Sequence, residues 1–275
     1  MAYNSDGFER MAQRFVNTVY FKDELGDIHF SSTCTFVRFR GEFFTIFAAH
    51  AIPNANEDIS LMGHLGTDGK FYSITEISKG HKVYKEHDLV ICNTTGPLEL
   101  KNYFDLDVKD SLIGFRKNIM TWIGFPKKKA TEKYHRTKAS DAHIKAELSM
   151  LDDGVLKWNN ARYLMVQSKI KVNNHAEIIG RFDTKNVQYK YEGPKDNAYS
   201  LKGMSGGAIF FEPNNRDLTD ASSEQLFRFA GIGLEHRKNQ DIKGASRKLV
   251  TGLLCDYIDS NLASMTTMDF VITIK

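Results

Sequence analysis

Short stretches rich in aromatic and β-branched residues, each closed by a turn signal, recur through the first half of this chain and point to an all-β fold. "FVNTVYF" (15–21) mixes the two residue classes. "STCTFVRFR" (32–40) alternates, with Cys34, Phe36 and Arg38 on one face and Thr35, Val37 and Phe39 on the other. "EFFTIFAAH" (42–50) follows directly after Gly41, the arrangement of a hairpin. "DISLMGHL", "KFYSITEIS" and "DLVICN" are three further strand candidates. Turns at this spacing suit an antiparallel barrel or sandwich.

A second series of strands is expected from about residue 111. "NIMTWIGFP" (118–126) is a strand stopped by Gly124 and Pro126. "KAELSML", "RYLMVQS" and "NVQYKYE" read as strands, and "GGAIFFEP" (206–213) and "RFAGIGLEHR" (228–237) more strongly so. The period then changes. Leu249, Val250, Leu253, Leu254, Tyr257, Ile258 and Leu262 recur at helical spacing, which predicts a C-terminal amphipathic helix, with "MDFVITIK" returning as a strand. The resulting division is a first β unit over 1–110, a second over 111–245, and a helix and tail over 246–275. No Pro/Gly-rich linker marks the seam near residue 110.

With 275 residues the chain can bury a sizeable core in one large domain or two lobes. The net charge of +3 is too small to imply a nucleic-acid partner. Arg116 to Lys145 is the one uneven region, with nine basic and two acidic residues, and reads as a solvated basic loop. "MAYNSDGFERMAQRF" has charges and no apolar core, unlike a secretory signal, and no apolar run approaches membrane-spanning length. Cys34, Cys92 and Cys255 are odd in number and widely spaced, as expected of buried free thiols in a cytoplasmic, reducing compartment. No cysteine pair has zinc-site spacing, and the remaining histidines are scattered, so neither a metal nor a cofactor is expected.

Chemistry concentrates at "LKGMSGGAIF" (201–210), where Gly203, Gly206 and Gly207 crowd around Ser205. A serine hydroxyl is a weak nucleophile without a base to take its proton and donors for the resulting oxyanion. Glycines let backbone N–H groups point inward, and those of Gly203 and Ser205 form the natural pair. His50, ending a strand after two alanines, is the candidate base. Asp88, opening "DLVICN", is the candidate orienting carboxylate, buried and bonded to the histidine N–H.

These segments carry a resemblance. "FAAHAI", "HDLVICN" and "GMSGGAIFF" resemble the three signature segments of the trypsin-like, chymotrypsin-fold serine peptidases, in the same chain order. "WIGFP" is similar to the first strand and turn of that family's second barrel, and "FAGIGLEHR" to the strand that pairs with substrate. The resemblance implies two six-stranded antiparallel barrels with the site between them. It also implies His50 as general base, Asp88 as its orienter and Ser205 as nucleophile. By family spacing Tyr199 lies near the base of the primary pocket, and Gly231, Gly233 and Leu234 form one wall. A tyrosine there leans toward a small or apolar side chain before the cut. The chain departs from secreted members in three places. Met204 stands where they carry an aspartate that pairs with a new N-terminus, Ala51 where they place a disulfide cysteine, and Phe47 where threonine is usual. These departures imply an intracellular, non-zymogen branch.

The expected function is a serine endopeptidase acting on a protein or peptide substrate. It would be a processing protease or the effector of a regulated bacterial system, with room for a regulatory protein partner. Three rivals stand beside it. An α/β-hydrolase elbow also fits Gly203-x-Ser205-x-Gly207 but leaves only His236 downstream. A catalytically silent peptidase-fold binding module would keep the residues without the activity. A nucleic-acid binder using the Lys127 to Lys138 loop lacks interleaved aromatic residues.

Overall fold

The computed structural model describes residues 7–53, 58–108, 113–130, 133–134, 148–150, 156–158, 161–183, 185–189, 193–197, 200–214 and 222–268. After a short helix α1 (Gly7–Ala12), the first half contributes β1 (Val16–Lys22), β2 (Ile28–Phe39), β3 (Glu42–Ala48), β4 (Met62–Leu65) and β5 (Phe71–Ser73). Helix α2 (Ile74–Ile77), β6 (Ser78–Tyr84), β7 (Leu89–Thr94) and β8 (Phe104–Asp105) complete it. They form a sheet in the order β5-β4-β1-β2-β3-β7-β6, with β8 added alongside β2.

The second half carries β9 (Ile119–Gly124), then β10 (Lys133–Tyr134), which adds to β2, and the hairpin of β11 (Leu148–Met150) and β12 (Leu156–Trp158). Next come β13 (Leu164–Asn173), β14 (Glu177–Arg181) and a second small hairpin of β15 (Lys185–Tyr189) and β16 (Gly193–Asn197). β17 (Ala208–Phe211), a helical turn α3 (Ser223–Leu226), β18 (Arg228–His236), β19 (Asp241–Ser246) and helix α4 (Arg247–Met268) follow. Six of these strands close into a barrel, β13-β14-β19-β18-β17-β9. The chain is therefore mostly β, with a half-barrel sheet, a closed six-stranded barrel and one long C-terminal helix. Among the described ladders only β2–β8 is parallel, which leaves no place for the alternating parallel units of an α/β-hydrolase.

The hairpin at Gly41 forms as its sequence predicts. Phe39 faces Glu42, and both residues between them, Arg40 and Gly41, have positive φ, as a two-residue turn matched to strand twist requires. Three expectations change. β2 is buried on both faces through most of its length, because the second half of the molecule covers the side that alternation left open. "KFYSITEIS" is not one strand. Ser73 accepts the Thr75 N–H and Glu76 returns to the Ser73 N–H, a capping box that turns Ile74–Ile77 into helix α2. "DISLMGHL" likewise begins as a helical turn capped by Asp58 before entering β4.

One apolar core runs across both halves. Phe15 stacks on Phe104, which meets Phe210 and Phe229, and Phe227 packs on Phe8, Phe15 and Phe210. Helix α4 seals it with Val250, Leu253, Leu254 and Tyr257, each contributing about 1.5–3 kcal/mol relative to exposure for side chains of this size. It also reaches the first half, where the Tyr84 hydroxyl bonds the Leu253 carbonyl and Asp256, and Lys82 pairs with Asp256. The segment expected to return as a strand, 268–275, is helical at Met268 and otherwise lies outside the described residues. Cys34 and Cys92 are buried thiols as expected, whereas Cys255 is only half-buried. Among the described residues no helix is long and apolar enough to cross a membrane.

Candidate active site

Strand register creates the first part of the site. β3 and β7 pair as far as Ala48 opposite Leu89, so the residues just beyond each end emerge together. Asp88 sits in the left-handed region, φ 54°, which an aspartate tolerates better than most residues. There its carbonyl accepts the Ala49 N–H at 3.0 Å and its Oδ1 accepts the His50 N–H at 2.9 Å. Its Oδ2 lies 2.6 Å from His50 Nδ1. A carboxylate can only accept there, so Nδ1 carries the proton and Nε2 is left as the lone-pair nitrogen. The hydrogen bond to Asp88 raises the His50 pKa, against a smaller opposing effect of burial and with further help from the charges of Asp88 and Glu235.

The buried carboxylate expected from the sequence is not what forms. The side chains of Asp88 and His50 are 37% and 53% exposed. The carboxyl forms instead at a half-open surface, where its two oxygens meet the backbone and ring N–H groups of His50.

The second part is the turn around Ser205, where the backbone can be accounted for group by group. The Lys202 carbonyl accepts the Lys127 N–H at 2.7 Å. Met204 N–H donates to the Leu201 carbonyl, and Gly207 N–H to the Met204 carbonyl. Gly206 N–H donates to Gly233, and Gly233 N–H returns to Gly207. The carbonyls of Gly203, Ser205 and Gly206 are all held by β2: by the Thr33 hydroxyl at 3.0 Å, the Thr33 N–H at 3.1 Å and the Thr35 hydroxyl at 2.8 Å.

From 202 to 207 two backbone groups have no partner among the described residues, the N–H groups of Gly203 and Ser205. In a trans peptide the N–H points opposite the preceding carbonyl. The Lys202 and Met204 carbonyls are engaged, so both free N–H groups are fixed in direction. An unpaired couple of backbone donors beside one hydroxyl is a ready anion site.

The glycines have separate duties. Gly203 has φ 96°, which its own conformation requires. A Cβ on Gly206 would come within 2.0 Å of the Thr33 carbonyl, and one on Gly207 within 2.1 Å of the Ile123 carbonyl. Those two glycines let the turn lie against β2 and β9, and Gly206 also rests on Phe47 and Ala48, close to His50. Met204 is fully buried against Trp122, Leu201 and Ile209 in the barrel core, an apolar anchor for the turn.

The Ser205 hydroxyl does not point to His50. It donates to the Leu234 carbonyl at 2.6 Å. Leu234 therefore meets the site through its backbone, its side chain being 9% exposed in the core. Gly231 and Gly233 are explained by packing: a Cβ would strike the Ala245 carbonyl at 2.1 Å and the Trp122 indole at 2.1 Å, respectively. Tyr199 lies outside the described residues. Thr33 and Thr35 were not anticipated from the sequence. Nothing local separates them from other strand threonines.

Among the described residues one group, Asp23, Asp27 and His29, brings potential metal ligands together. Asp23 Oδ1 accepts the N–H groups of Leu25 and Asp27, and its Oδ2 engages His29, so the group closes the β1–β2 turn.

The sequence matches no family model and none of the curated proteins. In structure the chain is similar to a Glu endopeptidase, at 11% identity over 91% of this chain and 93% of that one, with a TM-score of 0.42. It is also similar to a serine endoprotease from Yersinia pestis, at 10% identity over 92% of this chain and 67% of that one, with a TM-score of 0.48.

Proposed function

We propose that this chain is a serine endopeptidase of the acyl-enzyme type, with Ser205 as nucleophile, His50 as base and Asp88 as orienter. The observation that carries this reading is the pair of N–H groups, on Gly203 and Ser205, that have no partner among the described residues, in a turn whose other peptide groups over 202–207 are bonded. A purely structural turn would have no reason to leave those two donors open beside a hydroxyl, in a turn that packs on Ala48, two residues before a histidine whose Nδ1 proton is already committed to a carboxylate.

The chemistry follows from the donors and acceptors. The resting hydroxyl donates to Leu234. An extended substrate brings a backbone N–H that takes over this carbonyl, and the hydroxyl rotates to another staggered position facing His50 Nε2. Ser205 Oγ attacks the scissile carbonyl as its proton passes to Nε2, and Asp88 stabilises the imidazolium formed. The oxyanion lies against the Gly203 and Ser205 N–H groups; losing one such donor typically costs about 3–4 kcal/mol of barrier. The imidazolium then protonates the leaving amine. Water attacks the ester with His50 again as base, and the acid is released. Each step uses only groups of this chain, the substrate and water.

A fluorophosphonate probe tests the assignment. Ser205 should become labelled in the wild-type protein and not in Ser205→Ala, with peptide hydrolysis lost in parallel. A silent binding module would show neither labelling nor hydrolysis while keeping its ligand.

A further inference from the structure

The two residues whose N–H groups are open have something else in common. Both of their carbonyls end on one residue of the other half of the molecule, Thr33 on β2. The Thr33 hydroxyl donates to the Gly203 carbonyl at 3.0 Å, and the Thr33 N–H donates to the Ser205 carbonyl at 3.1 Å. The same hydroxyl accepts the Phe125 N–H at 2.8 Å, two residues before the Lys127 N–H that holds the Lys202 carbonyl. Thr33 is fully buried, so no water competes for these bonds.

We propose that Thr33 is a positioning residue for oxyanion binding, an inference that rests on the peptidase reading above. The Gly203 N–H belongs to the peptide joining 202 to 203, and turning that peptide requires compensating rotation at Gly203. Glycine is the residue least able to resist such rotation by itself. Thr33 supplies the resistance from outside, because it clamps the next peptide plane through the Gly203 carbonyl. It clamps the plane after Ser205 in the same way. The hydroxyl's acceptor side is fastened to β9 through Phe125, so one side chain ties the turn to both halves. The oxyanion donors in the second half are thereby set by a strand of the first. This is a different role from that of Thr35, whose hydroxyl holds the Gly206 carbonyl on the far side of the nucleophile.

Thr33→Val tests this, since it keeps the backbone N–H and the approximate shape but removes the hydroxyl. Activity is read per active site, counted by fluorophosphonate titration, on the full chain. The expected result is a fall in kcat of about 10- to 100-fold with KM changed less than threefold, because the donors act on the transition state. A peptide aldehyde, whose adduct places an oxyanion in the same position, should lose affinity by a similar factor. Thr33→Ser should restore both. If kcat per titrated site and aldehyde affinity stay at wild-type values while only the denaturation midpoint falls, Thr33 is structural and the proposal is overturned. If Thr33→Val does not fold, Thr33→Cys replaces it, with a thiol of similar size and weaker donor strength. A graded loss of kcat then supports the proposal and an unchanged kcat overturns it. A wild-type chain that neither labels at Ser205 nor hydrolyses peptides would sink the peptidase reading itself, a result distinct from either outcome for Thr33.

Discussion

His50 with Asp88, and the turn around Ser205, enter the proposed site by opposite routes. The first pair comes from two neighbouring strands of a single sheet. Once β3 and β7 pair in register, the residues beyond their ends have little freedom, and one aspartate receives both the backbone and the ring N–H of the histidine. The turn around Ser205 belongs to the barrel but is held from elsewhere: three of its carbonyls end on β2, and Gly206 lies flat against Thr33. The His50–Asp88 pair therefore needs only its own sheet to fold, whereas the turn around Ser205 needs the two halves to dock. The pair is already in hydrogen-bond contact, while the nucleophile rests on Leu234.

The largest break is to delete one member from each side. Ser205→Ala and His50→Ala should each lower turnover by about four to six orders of magnitude, and the double variant no further, because the groups act as a unit. Additive losses in steady-state kinetics would mean that the two sides do not share a reaction.

Asp88→Asn acts within the first side alone and should cost about three to four orders of magnitude in kcat. The carboxylate holds the His50 pKa above its ordinary 6.5, and the base works only when neutral. The acid limb of kcat/KM should therefore have its midpoint above pH 6.5 in the wild-type protein. Residual activity in Asp88→Asn should have its midpoint at lower pH. A pH profile with the same limb in both proteins would remove Asp88 from its role.

Two glycine substitutions compare the docked turn with an open one. Gly41 and Gly206 both have positive φ, but a Cβ at Gly41 meets nothing within 4 Å while one at Gly206 strikes the Thr33 carbonyl. Gly41→Ala should cost about 1 kcal/mol of backbone strain. Gly206→Ala should cost roughly 3 kcal/mol or more, because strain and a backbone clash combine. Urea denaturation separates the two, and equal losses would mean that close docking of the halves is not what limits the turn.

The last comparison is between two histidines of the first half. His64 is buried, its Nδ1 donates to the Thr18 carbonyl, and burial lowers its pKa to about 4, the opposite direction to His50. As pH falls below about 6.5 the unfolded chain takes up a proton that the fold refuses until about pH 4. Stability should decline across that window by an amount of order 3 kcal/mol. His64→Gln, which keeps a donor for Thr18, should flatten the decline. Denaturation midpoints at pH 7 and pH 4.5 measure it. His50 works the other way: its raised pKa adds stability below pH 6.5 that is lost as pH rises.

Much of the architecture was legible because its causes are local. Alternation in 32–40 and the apolar run of 42–50, with Gly41 between, mark a hairpin whatever surrounds it, and the apolar spacing from Leu249 to Tyr257 marks α4. The capping box at Ser73 and Glu76 was equally local, but a run of β-formers concealed it. The contact between His50 and Asp88 was legible in part because each stands at the end of a strongly apolar strand, as Ser205 does. The half-exposed setting of Asp88 was not, since the carboxylate's donors are defined only when β3 and β7 pair.

Residue types and their spacing by themselves determined the strands, the hairpin at Gly41, the long helix and which side chains could supply acid–base and nucleophilic chemistry, because propensity, alternation and turn chemistry act over a few neighbouring residues. Tertiary structure alone decided where the Ser205 proton points, why Gly206 and Gly207 cannot carry a Cβ, and that Thr33, about 170 residues upstream in the chain, holds the carbonyls of both Gly203 and Ser205. Those outcomes depend on which backbone groups meet when two separately patterned halves pack together, and no local pattern in the chain encodes that contact.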